Sequence, residues 1–525
     1  MYFKRYFNNR FFVKQLLVLI GVLLICAQQE AAAQNRTGDN GDGTFTNPVI
    51  PADFPDPDVI RVGDSYYMVS TTMFIFPGVT ILKSHDLVNW SYCSNAVPRF
   101  DFAKQYNLID GNRYGHGQWA TSLKYHNGKF YLLFITLNEG GFMCTADKAT
   151  GPWKITHLPK GFYDPGLFFD DNGKIYVAHG YGKIMMTEVD ENLRSIGPDS
   201  LVYTGDIRPG LEGTHVYKIN GYYYLYCTYG GGNGFQVALR SKNIYGPYEQ
   251  KVVIRDTTKG VTFGIHQGAL IQTETGQWWT MLFVDSGPFG RFPSLQPVKW
   301  VDDWPVAGKN GHGVITSKKP DVGRNYPVKI LPTSDEFNAP TLGMQWGWNH
   351  NPDTTKWSLK EQSGMLRLHT VRIVDNLKQA VNTLTQRPFA KRNQLQPTTA
   401  TTKLDISHMK PGDIAGLAVF QEPYAYIGIK REAHKNFVVM VNNGRVIDST
   451  EIHQNIVYLK TLASNATKKA SFAFSLDGVN FKKLGNELLM AFSLKIFTGN
   501  KFCLFNYPTS QVGGYVDFDW FHTNY

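Results

Sequence analysis

The chain has 525 residues, of which 14% are aromatic and 18% charged. That length accommodates two or three domains, and the aromatic content favours large packed β structure and excludes a disordered chain. The formal charge of +10 is diffuse, with no compact block of five or more Lys/Arg, which excludes a nucleic-acid footprint.

Residues 1–33 read as a secretory signal. Lys4, Arg5, Arg10 and Lys14 precede an apolar stretch from Leu16 to Ala27, and Ala31 to Ala33 offer a small-residue cleavage site. The apolar core is shorter than the roughly 20 residues needed to cross a bilayer, so no membrane span is expected. The rival reading, Cys26 as a lipidated N-terminus, places the bulky Ile25 at the processing site. Removing this segment leaves 49 basic against 42 acidic residues, or +7. The mature protein is expected to be exported, at the periplasm or cell surface or secreted. Its four cysteines, Cys93, Cys144, Cys227 and Cys503, have neither CxxC nor metal-finger spacing and read as buried free thiols.

Residues 34–46, including GDNGDG, read as a flexible lead-in that lacks the acid closing an EF-hand calcium loop. Five similar segments then occupy residues 47–310. Each carries an apolar run, a turn glycine and a second run opened by large hydrophobic or aromatic residues, with the glycines at Gly63, Gly128, Gly173, Gly221 and Gly276. The intervals of 65, 45, 48 and 55 residues are the scale of a four-stranded propeller blade rather than a helical repeat. Asn-Gly at Asn127, Asn172 and Asn220 supplies the positive φ of two-residue hairpin loops. Residues 311–333, rich in Gly, Pro and Lys, read as a linker. From 334 to 525, segments such as KLDISHM, AYIGIKR and ASFAFSL alternate apolar and polar residues between turns, the pattern of a second all-β domain, a sandwich. The expected class is therefore all-β, a five-bladed β-propeller followed by a β-sandwich.

Three of the five segments begin with an acid: Asp56 in DPDVIRVG, Asp164 in DPGLFFDDNG and Glu212 in EGTHVYKING. Taken singly, an Asp before Pro or a Glu before Gly reads as a turn residue that caps backbone amides. The innermost strands of a propeller line one channel, so acids at the same repeat position converge. Converging carboxylates raise one another's pKa values, which permits one to remain a protonated acid while another acts as base. Glycoside hydrolysis requires such a pair. Asp53, Asp58, Asp170 and Asp171 read as structural.

The stretches NPVIPADFPDPDVIRVGDSYYMVSTT, FYDPGLFFDDNGKIY and LEGTHVYKINGYYYLYC resemble glycoside hydrolase family 43, over nearly all of the mature length. The resemblance implies that Asp56 is the general base, that Asp164 tunes the acid and orients substrate, that Glu212 is the general acid, and that the reaction inverts the anomeric configuration. It further implies that His266 helps to hold a hydrated channel metal, commonly calcium, and that Arg291 grips sugar hydroxyls; Phe74, Phe76 and Trp119 fall where the family lines the sugar pocket. On the residues alone, His266 and the three aromatics equally suit a core, and Arg291 a solvated turn. No organic cofactor is implied. SDEFNAPTLGMQWGWNHNP and VDFDWFHTNY resemble the concanavalin-like sandwich of one branch of the family, which packs on the propeller and narrows the pocket mouth. The expected activity is release of terminal pentoses from hemicellulose, with β-1,4-xylosidase first and α-L-arabinofuranosidase as the alternative. A non-catalytic sugar-binding propeller would be expected to lack Asp56 or Glu212. A fructan-cleaving relative would retain configuration. The partner expected is thus an oligosaccharide or polysaccharide; oligomeric state is not read.

Overall fold

A computed structural model describes residues 38–205, 210–256, 264–391 and 396–525; the proposed signal and Cys26 lie outside them. Five four-stranded antiparallel sheets follow one another in sequence. Blade I comprises Asp58–Val62, Ser65–Ser70, Gly78–Ser84 and Trp90–Val97, and blade II comprises Ser122–His126, Lys129–Thr136, Gly140–Ala146 and Lys154–Leu158. Blade III holds Gly166–Phe169, Ile175–His179, Lys183–Val189 and Ser200–Thr204, blade IV Leu211–Ile219, Tyr222–Tyr229, Phe235–Ser241 and Glu249–Ile254, and blade V His266–Gln272, Trp278–Asp285, Arg291–Val301 and Trp304–Ala307. The first strand of each blade touches the first strands of its two neighbours, closing a ring around a channel. Apolar side chains pack between blades, as where Val69 and Ile81 of blade I meet Leu123 and Leu132 of blade II.

The hairpin turns follow the expected chemistry with one exception. Asn127-Gly128 and Asn220-Gly221 both carry positive φ at both positions, the geometry that matches strand twist. In blade III only Gly173 does. There the connection is longer, because Asp170 accepts from the backbone N–H of Asp171 and its backbone N–H and C=O bond to Lys174 and Gly173.

The lead-in is not loose from Gly38 onward. Thr44–Thr46 pairs with Thr316–Lys318, a short strand inside the expected linker. Asp39 is buried and accepts from Asn89 and Lys319 at 2.7 and 2.8 Å. Asn47 exchanges bonds with Leu295 and donates to Val314 O, so the segment entering blade I is tied to blade V and locks the ring.

The C-terminal region is a sandwich of two eight-stranded sheets. One inner face presents Leu417, Ile427 and Leu504, the other Leu404, Leu459, Phe472 and Phe518, all in one buried cluster. At its edge the first sheet runs through Asp413–Phe420, Lys501–Pro508, Leu384–Gln386 and Trp346–Asn349 and then takes Ile75–Phe76 from the propeller as its last strand. Among the described cysteines, Cys144, Cys227 and Cys503 are buried free thiols, as expected, whereas Cys93 is free but only partly buried.

Candidate active site

A cavity of about 550 Å³ opens where the blades converge, lined among others by Asp56, Trp119, Asp164, Glu212, His266 and Arg291, together with Phe492, Leu494 and Phe497 of the sandwich. The three acids, Trp119, His266 and Arg291 are thus brought together. Their placement follows from a repeated backbone device. Asp56 and Asp164 stand two residues before the first strands of blades I and III, at φ 54° and 45°, and Glu212 precedes Gly213 at φ 63°, where the register of blade IV slips. Gln267 repeats the left-handed kink in blade V, beside another register shift. Each kink turns the chain just where the strand reaches the channel. For a non-glycine residue the left-handed conformation costs on the order of 1–2 kcal/mol, and Asp tolerates it better than most.

The acids are distinguished by their neighbours. Arg291 Nη1 donates to Asp56 Oδ1 at 2.8 Å, an ion pair in which both side chains are less than 9% exposed. Burial pushes Glu212 up to about 7; the phenol of Tyr163, donating to Oε2 at 3.1 Å, and Arg291 hold it back, while the Asp56 carboxylate pushes the same way as burial. Asp164 is raised well above the usual carboxylate range, by burial first and then by Glu212 and Asp56, against the Gly213 backbone amide and Arg291. Of the three predicted acids, Asp56 is thus paired with Arg291, while Asp164 and Glu212 are biased towards the protonated form.

Arg291 is anchored from behind. Asp53 accepts from its backbone N–H at 3.0 Å and from Lys501 Nζ and Gly499 N–H of the sandwich, both at 2.8 Å. The preceding Gly290 has φ 101°, and a Cβ there would stand 2.2 Å from Asp53 Oδ1, so only glycine fits. The guanidinium lies 5.0 Å from the Phe497 ring centre. Its Nε and Nη2 are buried without a protein partner, donors suited to a ligand's hydroxyls. Trp119 packs in a tilted arrangement against Phe497, with ring centres at 5.0 Å, and against Tyr163, at 5.9 Å.

Two expected pocket residues are not there. Phe74 is buried against Tyr114 and His350, with ring centres at 4.7 and 5.1 Å, and Phe76 against Phe100 and Tyr106, both at 5.8 Å. Ile75–Phe76 is drawn into the sandwich sheet, and the Phe74 ring fills a core at the domain junction and the Phe76 ring the core between blades I and II instead of the channel. The structural reading of Asp58 fits: it is fully buried, accepts from Leu123 N–H at 2.7 Å and pairs with Lys124 and His215, both at 3.3 Å. Burial alone would raise it, but Lys124, the hydrogen bond with His215 and the Leu123 amide hold it far below the usual range.

His266 Nδ1 lies 2.7 Å from Gly264 O, a contact that only a protonated nitrogen can make, so in the neutral ring Nε2 keeps a bare lone pair. Burial holds the imidazole below its usual value, against the pull of Asp285. Among the described residues no three His, Cys, Asp or Glu groups are placed to hold one metal ion together. This donor set fits an ion held mainly by water with a single imidazole ligand and does not fit a protein cage for a hard cation.

Sequence reasoning missed Tyr163, the glycines Gly230 to Gly232 and the sandwich residues of the cavity. Tyr163 adjoins Asp164, and the run TYGGG is visible in the sequence; nothing local marks Phe492 or Phe497.

Residues 45–305 match the family described as Glycosyl hydrolases family 43, and residues 334–524 match the Beta xylosidase C-terminal Concanavalin A-like domain. The chain is 35% identical to a beta-xylosidase of Formosa agariphila, over 95% of this chain and 93% of that one. It is 29% identical to a non-reducing end alpha-L-arabinofuranosidase of Bacteroides ovatus, over 91% of this chain and 94% of the relative. Among solved structures, a bifunctional GH43-CE protein of Bacteroides eggerthii superposes with a TM-score of 0.84 at 39% identity, over 91% of this chain and 63% of that longer one.

Proposed function

The chain belongs to glycosyl hydrolases family 43, and on that footing we propose that it is an exo-acting β-1,4-xylosidase, removing terminal xylose from the non-reducing end of xylan-derived oligosaccharides. It is a glycoside hydrolase of an inverting family. The observation that carries the choice is its similarity along nearly the whole chain to a beta-xylosidase. The exo mode is supported by the sandwich residues Phe492, Leu494 and Phe497, which line the cavity alongside the propeller residues.

In this reading Asp56 is the general base. Its carboxylate, oriented by Arg291, takes a proton from water as that water attacks the anomeric carbon. Glu212 is the general acid. Pushed up to about 7, it is still substantially protonated near neutrality and gives its proton to the departing glycosidic oxygen. Inversion follows because water enters the face opposite the leaving group, which needs carboxyls roughly 6.5–9.5 Å apart. Asp164, its carboxyl raised well above the usual range beside Glu212, tunes the acid and helps to orient the substrate. Arg291 Nε and Nη2 and Trp119 receive the sugar.

A calcium ion bound largely through water would take His266 Nε2 as its protein ligand and add positive charge at the channel floor; the chemistry above is carried by the side chains. Export through residues 1–33 suits a polysaccharide substrate outside the cell. No helix among the described residues is long and apolar enough to cross a membrane; cell fractionation of the full-length chain tests export, and recovery with the cytoplasm would refute it.

A second reading, α-L-arabinofuranosidase, is favoured by the Bacteroides ovatus relative. Parallel assays on nitrophenyl β-xyloside and nitrophenyl α-arabinofuranoside separate the two, and xyloside turnover far below arabinofuranoside turnover would reverse the order. NMR of the first-formed sugar should show the inverted anomer.

A further inference from the structure

A carboxylic acid has two oxygens and one proton, and a general acid is productive only when the proton sits on the oxygen that faces the leaving group. Two features of the Glu212 surroundings distinguish its oxygens. The Tyr163 hydroxyl, in a buried phenol beside Asp164, lies 3.1 Å from Oε2. A phenol that donates to Oε2 makes it the accepting oxygen, which leaves the carboxyl proton to Oε1. Burial, with Asp164 and Glu212 beside it, raises the phenol well above its usual value, so it keeps the proton that it donates to Oε2.

The second feature is on the other side. Gly230 follows the second strand of blade IV, and a Cβ there would stand 2.6 Å from Glu212 Oε1. Its φ lies outside the left-handed region, so the backbone does not demand glycine; the space beside Oε1 does. Gly230, Gly231 and Gly232 line the cavity together with Glu212.

We propose that Tyr163 and Gly230 jointly select Oε1 as the proton-donating oxygen of Glu212, with Tyr163 a positioning residue that occupies Oε2 and Gly230 the clearance through which Oε1 meets the glycosidic oxygen. This rests on the reading of Glu212 as general acid. The other charged or titratable groups lining the cavity are Asp56 of blade I, Asp164 and Tyr181 of blade III, and His266, Asp285 and Arg291 of blade V. Of the first strands, only that of blade IV delivers its carboxyl next to both Tyr163 and an open glycine.

Tyr163→Phe keeps the ring on Trp119 and removes only the donor. A hydrogen bond to an ionised carboxylate favours its charged form, so its loss should move the alkaline limb of the kcat/KM profile upward by about one pH unit. With the proton free to occupy either oxygen, about half the molecules hold it productively, so kcat on β-1,4-xylobiose should fall about twofold further than kcat on nitrophenyl β-xyloside, whose leaving group departs without protonation. Gly230→Ala should reproduce that substrate split, since its methyl displaces Oε1. Circular dichroism and melting temperature identify a misfolded variant, in which case the pH profile and substrate split of Tyr163→Phe decide the proposal. An unmoved alkaline limb in Tyr163→Phe, or equal losses on the two substrates, would overturn the proposal. Glu212→Gln separates the layers: if it turned over xylobiose normally, the acid reading itself would fail, whereas an inactive Glu212→Gln beside an unaltered Tyr163→Phe profile would sink only the oxygen-selection argument.

Discussion

Lys501→Met tests whether the sandwich holds the catalytic arginine in place. Lys501 Nζ donates to Asp53 Oδ2 at 2.8 Å and to Gly499 O at 2.9 Å, and both charged side chains are at most 4% exposed. Burial lowers the Lys501 amine and Asp53 supports its charge, while Asp53 is itself held low, despite its burial, by Lys501 and Arg291. At that separation and an effective dielectric of about 20 the attraction is about 6 kcal/mol before desolvation. Methionine fills much of the lysine volume but leaves the Asp53 carboxylate with only the amides of Arg291 and Gly499. Removing one partner of such a pair costs about 3–5 kcal/mol, roughly 6–20 °C in melting temperature for a unit the size of the sandwich. Because Asp53 also fixes the backbone of Arg291, kcat/KM should fall with stability, by roughly tenfold. Asp53→Asn combined with Lys501→Met should recover much of the stability, since no unpaired charge is then buried. Calorimetry and xyloside kinetics on the single and double variants provide the test. A Lys501→Met enzyme melting within 2 °C of the parent, with unchanged kinetics, would refute the reasoning.

The wild-type kcat/KM should decline as pH rises through about 7, because Glu212, pushed up to about 7 by burial and Asp56, must be protonated to act; a pH–rate profile flat from 6 to 9 would contradict this. The same group works against stability at high pH. Its folded value lies above the ordinary 4.5, so its contribution is complete below 4.5 and is lost as pH rises through about 7, which denaturant titrations at pH 5 and 8 can measure. Phe497→Ala removes the rings' contacts with Trp119 and Arg291, each at 5.0 Å, worth together about 1–2 kcal/mol, so KM for xylobiose should rise roughly tenfold with a smaller change in kcat. Chelation followed by calcium should abolish and restore activity, and His266→Ala should raise the calcium concentration needed for half-maximal activity at least tenfold; activity indifferent to both would remove the ion from the site.

The propeller was legible because it is written five times. The turn glycines recur at a blade's spacing, and Asp56, Asp164 and Glu212 occupy one position of the repeat, so residues more than 150 positions apart could be assigned to one channel. What escaped depends on contacts that the repeat does not encode. Phe74 and Phe76 carry the composition of a sugar platform, yet Trp348 and His350, nearly 275 residues later, draw their segment into another core. Phe497 stands in a loop whose local sequence resembles any other, and it becomes a pocket wall only through docking. Tyr163 was hidden for a different reason: its neighbour Asp164 explained the motif, and a tyrosine in a chain this aromatic carries no signal until its hydroxyl is seen on Glu212.

Ile75 and Phe76 form the last rung of the sandwich sheet, paired with Asn349 and Trp348. Although two sequence families meet in this chain as if they were separable modules, the joint is a shared ladder of peptide bonds inside a sheet. A gene cut after residue 310 would leave that rung without its neighbours and uncover Phe74 and Ile75 together with the carboxylate of Asp53. Such a fragment would offer an open edge to other copies of itself, so trimming the chain to its catalytic half should trade a pocket wall for self-association.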